Sequence, residues 1–173
     1  TEMTTQFYTD ITNQLSTLSW YTYFKLFNNQ FESMEEQQEQ TFPNLSIFME
    51  FLEPVDVSSV GGGVQYYDAV VRFHLYLISY ELEDLDMLTY KQELHAKLQG
   101  FFPTDCSRMN RIAESPDQNH NGYMVWKLDY QVRIPDESGS MYKNVVDAAP
   151  VTLDLTTQLI IDNEVIRTGK FPE

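Results

Sequence analysis

Residues Val64 to Glu81 read VQYYDAVVRFHLYLISYE, and this sequence carries the strongest indication of the fold. Alternate residues of this stretch form an unbroken apolar face, namely Val71, Phe73, Leu75 and Leu77. The opposite face has mixed character and carries Arg72, His74, Tyr76, Ile78 and Tyr80. An alternation of this kind is typical of a β-strand. It predicts one unusually long strand, of the sort that often continues beyond the body of a domain as a hairpin arm.

Other strands are predicted on both sides of this stretch. Residues 45–52 place Leu45, Ile47, Met49 and Phe51 on one face of a short strand. Residues 123–134 alternate cleanly, with Met124, Trp126, Leu128, Tyr130, Val132 and Ile134 on one face and Lys127, Asp129, Gln131 and Arg133 on the other. Weaker patterns predict strands at residues 107–114 and 151–161.

The aromatic segment at residues 20–27 leaves two alternatives open. Its aromatic side chains, with Thr and Lys between them, favour a half-buried strand. The same apolar residues also fit a helical period loosely, so that one helix could run from the N-terminal region to Asn29.

Two helices are predicted. In residues 4–18 the apolar side chains recur at helical spacing, at Phe7, Ile11, Leu15 and Leu18. The second helix covers residues 85–99, and its predicted apolar stripe is Leu85, Leu88, Leu94, Leu98 and Phe101 or Phe102. Gly100 and Pro103 are residues that commonly follow the end of a helix.

Four polar or acidic segments are expected to be loops, at residues 30–41, 53–63, 115–122 and 135–150, before a short polar tail at residues 162–173. The resulting order is helix, three strands, helix, three strands. It predicts an α+β fold in which two helices pack on one face of an antiparallel or mixed sheet. The length of 173 residues suits a single domain spanning residues 1–173.

Composition limits the functional classes. The chain carries 11 basic and 26 acidic residues, a formal net charge of −15, and this acidity argues against binding the phosphate backbone of nucleic acids. Cys106 is the single cysteine, which excludes an internal disulfide framework. The sequence contains no apolar run of the ~18 residues that a membrane-spanning helix needs and no recognisable secretory signal. We therefore expect an acidic, soluble, intracellular protein that binds neither membranes nor specific nucleic acid sequences.

Motifs for catalysis or metal binding are missing from the sequence. The triple glycine Gly61-Gly62-Gly63 is followed by Val64 and Gln65, without the Lys-Ser/Thr pair of a phosphate-binding loop. The histidines, His74, His95 and His120, are too scattered to form a ligand pair, and no motif marks Cys106 as a nucleophile. We expect His74 to be a hydrogen-bonded residue of the sheet. We expect His95 to lie in the C-terminal half of the second helix, where it would interact favourably with the helix dipole. The sequence predicts no catalytic residue, no cofactor and no metal.

Two other functional classes stay open beside a role in assembly. One is a stand-alone acidic binding module of the bacterial cytoplasm, which would need a closed apolar pocket. The other is an enzyme of unknown type, which would need ionisable groups converging in a pocket.

With this element order in place, the chain resembles the tail-terminator, or tail-completion, proteins of long-tailed bacteriophages, in particular those of Bacteroidetes phages and prophages. Several segments carry the resemblance: Leu18-Ser19-Trp20-Tyr21, Asn29-Gln30 before the acidic loop, Thr41 to Glu50 with its Phe42-Pro43 entry to a strand, the Gly-rich hairpin loop, the long strand, the second helix, Arg111 to Ser115, and Asp117 to Asn121. The resemblance covers residues 4–161. The acidic insert at residues 30–40 and the loop at residues 135–150 depart from the family pattern.

The resemblance implies a structural virion protein without catalytic residues. It would form a ring, usually a hexamer, that caps the tail tube and meets the head connector, so its partners would be other copies, the tail-tube protein and the head–tail connector protein. It would assemble in the host cytoplasm and then reside in the tail or neck of the virion. Six copies at −15 each would place about −90 formal charges around a central channel, which would repel DNA phosphates and let the genome slide.

Three loops are the predicted contact elements of such a ring. They are the hairpin loop at residues 56–65, the acidic loop at residues 30–40 and the loop at residues 141–149. The contact residues that we expect from these loops are Gly61, Gly62, Gly63, Gln65, Glu35, Glu36, Met141 and Tyr142.

Overall fold

The computed structural model describes residues 3–30, 42–52, 56–78, 84–117, 123–139, 160–161 and 164–165. The chain divides into two compact units, Thr1–Ser140 and Met141–Glu173. In the second unit the described residues form a small antiparallel hairpin of β7 (Ile160–Ile161) and β8 (Glu164–Val165). The rest of the strand predicted at residues 151–161 lies outside the described residues, and the single-domain organisation stays a prediction.

The first unit is built on a six-stranded mixed sheet. Its strands are β1 (Phe24–Leu26), β2 (Ser46–Phe51), β3 (Asp56–Gly61), β4 (Val64–Ile78), β5 (Asn110–Asp117) and β6 (Tyr123–Asp136). The spatial order is β1-β2-β4-β6-β5, with β3 also paired to β4. Only the β1–β2 pair of this sheet is parallel. The long central strand is thus confirmed as far as Ile78, and the predicted α+β class is confirmed.

Two helices cover one face of this sheet, α1 (Met3–Leu15) and α2 (Asp84–Leu98). The apolar face predicted for the central strand is fully buried beneath them, together with Leu128, Tyr130, Val132 and Ile134 of β6. The predicted stripe of α1 is also confirmed, since Phe7, Ile11 and Leu15 are fully buried and Leu18, just past the helix, nearly so. Burial of these side chains supplies most of the driving force for folding.

The aromatic segment after α1 is a strand over fewer residues than predicted. Only Phe24–Leu26 forms β1, and the alternative of one helix running to Asn29 is wrong. The hydroxyls of Ser16 and Thr17 donate to the carbonyls of Asn13 and Gln14, at 2.7 Å in each case. These side chains compete with helical hydrogen bonding and end the helix there.

The loop predicted at residues 53–63 is wrong over residues 56–61, which form β3, while residues 62–63 form the turn that follows it. All six residues of β3 are exposed. A strand exposed on both faces needs no apolar alternation, so its composition resembles that of a loop.

The strand predicted at residues 107–114 begins and ends three residues later, as β5. Residues 115–117, which were predicted to be part of a turn, therefore belong to this strand. β5 is the outermost strand beside β6, and seven of its eight residues are exposed. Pro116 is tolerated because an edge strand does not require every N–H for pairing. The remainder of the predicted turn, residues 118–122, lies outside the described residues.

The predicted stripe of α2 is partly wrong. Leu94 and Leu98 are buried, but Leu85 is 69% exposed and Leu88 is 41% exposed. Met87 and Lys91 occupy the sheet-facing positions instead, with the Lys91 ammonium 4.4 Å from the centre of the Trp126 ring. A lysine can cover apolar surface with its aliphatic stem, so a charged residue lies on the packed face of this helix. Beyond the helix, Phe101 is half-buried and Phe102 is 61% exposed.

Candidate interaction surfaces

The β3–β4 hairpin extends past the end of β2, and we call residues 56–68 the arm. Its strands pair from Asp56 opposite Asp68 to Gly61 opposite Val64, with a bulge between Ser59 and Gly61. The turn places Gly61, Gly62 and Gly63 at φ values of 93°, 61° and 79°. Residues with a Cβ rarely adopt this left-handed region, so the triple glycine builds a tight reversal rather than a phosphate cradle.

The arm is supported along its second edge by the end of β6. Gln65 pairs with Asp136 in the β4–β6 register, and the Tyr67 hydroxyl donates to the Asp136 carboxylate at 2.7 Å. Gly139 approaches the turn so closely that a Cβ there would lie 3.2 Å from the Gly63 carbonyl oxygen. The arm is therefore part of a three-stranded extension of the sheet.

The structure brings together one of the three groups of predicted contact residues. Gly61, Gly62, Gly63 and Gln65 lie at the tip of the arm, where Gln65 is exposed. Glu35 and Glu36, and likewise Met141 and Tyr142, lie outside the described residues.

An apolar groove opens at the root of the arm, on the helix-covered side of the sheet and beside the first turns of α1. Its first part has a volume of about 230 Å³ and is lined by Thr4, Phe51, Tyr67, Ala69 and Ile134. A second recess of about 340 Å³ shares Thr4 and Phe51 with the first and adds Thr5, Tyr8, Leu26 and Met49. We call the two recesses together the groove. None of the described residues that line it is charged.

The opposite face of the sheet carries two arginine–aspartate pairs with the same geometry. Arg72 of β4 donates to Asp129 of β6 through Nε at 2.7 Å and Nη2 at 2.9 Å. Arg133 of β6 donates to Asp68 of β4 at the same two distances. The first pair is the more buried, since the Arg72 side chain is 25% exposed and the Arg133 side chain is 55% exposed.

His74 extends this polar face towards β2. Its Nε2 lies 3.0 Å from the Glu50 carboxylate, and its ring stacks on Phe27 at a centroid distance of 4.2 Å. The predicted hydrogen-bonded sheet histidine is thus confirmed. Burial lowers the pKa of His74 below its ordinary 6.5, and the Glu50 carboxylate only partly offsets this effect. An aromatic cluster of Phe42, Phe48 and Tyr76 covers the adjacent part of the face.

Other titratable groups of the described residues have structural environments. His95 lies in the last turn of α2, as predicted, and its Nδ1 is 2.9 Å from the Tyr130 hydroxyl. Burial, followed by the nearby Arg111, lowers the pKa of His95. Burial raises the pKa of the Cys106 thiol to about 12, so this cysteine is a weak nucleophile. His120 lies outside the described residues.

The described part of the chain contains no group of three His, Cys, Asp or Glu side chains placed to hold a metal ion. Within the same residues, no helix is both long enough and apolar enough to cross a membrane.

Sequence reasoning missed the paired arginines and aspartates, although a signal for them exists. The sequence repeats the spacing Asp-x-x-x-Arg, at Asp68 and Arg72 and again at Asp129 and Arg133. When two strands with this spacing pair in antiparallel register, each aspartate lies opposite an arginine. The groove had no comparable signal, because its lining comes from five separate elements, α1, β1, β2, β4 and β6.

No protein-family model and no curated protein matches this sequence. Among solved structures, a chain from the virion of a native gene transfer agent particle has a similar fold, with a TM-score of 0.53. The match covers 77% of this chain and 97% of that chain, at 9% sequence identity. At this identity the similarity establishes a shared fold.

Proposed function

We propose that this chain is a structural protein of a phage or phage-like virion, and that it forms a ring that completes the tail or joins the tail to the head connector. The observation that carries the proposal is the similarity to the chain from a gene transfer agent virion. That chain is matched over 97% of its length, so the shared fold accounts for nearly the whole of a virion component.

The described surfaces are consistent with an assembly role. The arm extends away from the packed core and exposes backbone and apolar side chains, with Val57 50% exposed and Val60 64% exposed. Exposed apolar side chains that are set together on an extended element are typical of protein–protein contacts. We propose that the protein acts without catalysis, as a ring of copies held by such contacts.

The net charge suits this function. A ring whose channel is lined by acidic side chains would repel the phosphates of passing DNA and prevent the genome from adhering. The chain supplies a formal charge of −15 per copy for this purpose. The proposed partners are other copies, a tail-tube protein and a connector protein.

The alternative of a small-ligand module is less well supported. Both recesses of the groove, of about 230 and 340 Å³, are open to the surface. Ligand pockets more often enclose the ligand and bury most of its surface.

Deletion of the gene from the organism that encodes it tests the proposal. We expect electron microscopy of the deletion strain to show separate heads and tails or tails of uncontrolled length, and a plasmid-borne copy to restore complete particles. Particle proteomics of the complemented strain should detect the chain. Complete, joined particles from the deletion strain would contradict the proposed function.

A further inference from the structure

We propose that the tip of the arm of one copy inserts into the groove at the root of the arm of the next copy. This inference rests on the proposed ring and identifies the two surfaces that would hold it together. The occupant of the groove is thus a second copy of this chain, contributed through the tip at residues 59–65.

The charge distribution favours this occupant. Two copies with a net charge of −15 each repel one another, so a contact is least costly where neither surface adds a charge. Residues 59–65, with the sequence SVGGGVQ, contain no charged side chain. The described residues lining the groove are also uncharged.

The chemistry of the two surfaces matches. Val60 is an exposed β-branched side chain directly before the triple glycine of the turn. The groove has apolar walls formed by Phe51, Tyr67 and Ile134. Burying Val60 there would remove apolar surface from water on both partners.

A copy cannot fill its own groove with its own tip. Tyr67 lines the groove, and Gly63 lies at the turn four residues before it, which corresponds to about 13 Å of extended chain at ~3.3 Å per residue. Pairing of β4 with β3 and β6 keeps the arm extended over this distance. The tip and the groove are different surfaces of one molecule, so a contact between them is head-to-tail. Head-to-tail contacts generate a closed ring when the rotations between successive copies add up to a full turn.

Disulfide trapping tests the contact. The double variant Val60→Cys/Thr4→Cys places one thiol at the tip and one in the centre of the groove. We expect mild oxidation to give a ladder of covalent oligomers on a non-reducing gel, ending at the size of the ring. The buried Cys106, whose pKa is raised to about 12, should not react. The matched control is Val60→Cys/Leu85→Cys, because Leu85 is as exposed as Val60 but lies on α2; it should give no ladder.

Each other outcome contradicts the contact. A covalent dimer without larger species would indicate reciprocal exchange of arms, and a fast-migrating monomer would indicate that the groove is filled by its own chain. A ring of the wild-type protein in native mass spectrometry without the covalent ladder would refute the arm contact and leave the proposed function standing. Absence of both the ring and the ladder would refute both.

As a second variant, Val60→Asp should abolish the ring while leaving the thermal unfolding midpoint unchanged, because residue 60 is exposed in the single copy. Val60→Thr, which keeps the shape and adds no charge, should retain the ring. Retention of the ring by Val60→Asp would contradict the proposal.

Discussion

At the scale of single residues, the two arginine–aspartate pairs form a natural comparison. They join the same two strands at identical distances and differ mainly in exposure. A charge-assisted hydrogen bond contributes more to stability when water is excluded from it, whereas a solvent-exposed ion pair contributes little to stability.

We predict that Arg72→Met lowers the free energy of unfolding by about 2 kcal/mol, since it leaves the buried Asp129 carboxylate without its main partner. Arg133→Met should change stability much less, since its pair with Asp68 is exposed to solvent. Urea denaturation of both variants measures the difference. Equal losses would show that burial does not determine the strength of these pairs.

The second residue-scale prediction concerns pH. The pKa of His74 is lowered in the folded protein, so below its ordinary value of 6.5 the unfolded chain binds a proton that the folded chain does not. The free energy of unfolding should therefore fall as the pH drops from 6.5 towards the lowered pKa, and level off below it. His95, whose pKa is also lowered, should contribute in the same direction.

His74→Phe separates the contribution of His74, because phenylalanine preserves the stacking on Phe27 and cannot titrate. We predict that this variant loses less stability than the wild type between pH 7.5 and pH 5, as measured by urea denaturation at each pH. The lowered pKa values of Asp10 and Asp68 act only near and below their ordinary 3.8, outside this window. An unchanged pH dependence would refute the role of His74.

At the scale of elements, α2 tests which of its faces stabilises the fold. Leu94 is fully buried and Leu85 is 69% exposed, although the sequence pattern placed both on one stripe. We predict that Leu94→Ala lowers the free energy of unfolding by about 2–5 kcal/mol through the cavity it leaves. The control Leu85→Ala should stay within about 0.5 kcal/mol of the wild type. Similar losses for both variants would contradict the described orientation of the helix.

The elements that sequence reasoning predicted well are those buried on at least one face. β4 and β6 could be predicted from the sequence because core packing requires apolar residues at alternate positions, such as Phe73 and Leu128. β3 and β5 are exposed, and hydrogen bonding to a neighbouring strand leaves no mark on side-chain composition. The orientation of α2 was wrong because Lys91, which packs against Trp126, replaces an apolar residue.

The candidate surfaces were predictable to different degrees. The triple glycine identified the turn of the arm, because three successive glycines suit a tight reversal. The groove could not be predicted, because Thr4, Phe51 and Ile134 are distant in sequence and meet only in the folded unit.

At the scale of the whole molecule, charge and contact make opposing contributions to assembly. A net charge of −15 per copy opposes association, while the uncharged tip of the arm and the uncharged described lining of the groove would favour it. We predict that self-association strengthens when the ionic strength rises from about 10 mM to about 1 M, where the Debye length shrinks from ~30 Å to ~3 Å. Sedimentation velocity measures the change. Association that weakens with salt would indicate contacts between opposite charges instead.

Native mass spectrometry of the wild-type protein over a concentration series, with negative-stain images of the same samples, shows whether copies of this chain close into a ring. We expect a single closed oligomer, with six copies as its proposed size, whose images show an open central channel. A monomer at every concentration and ionic strength, with no ring-shaped particles, would contradict it.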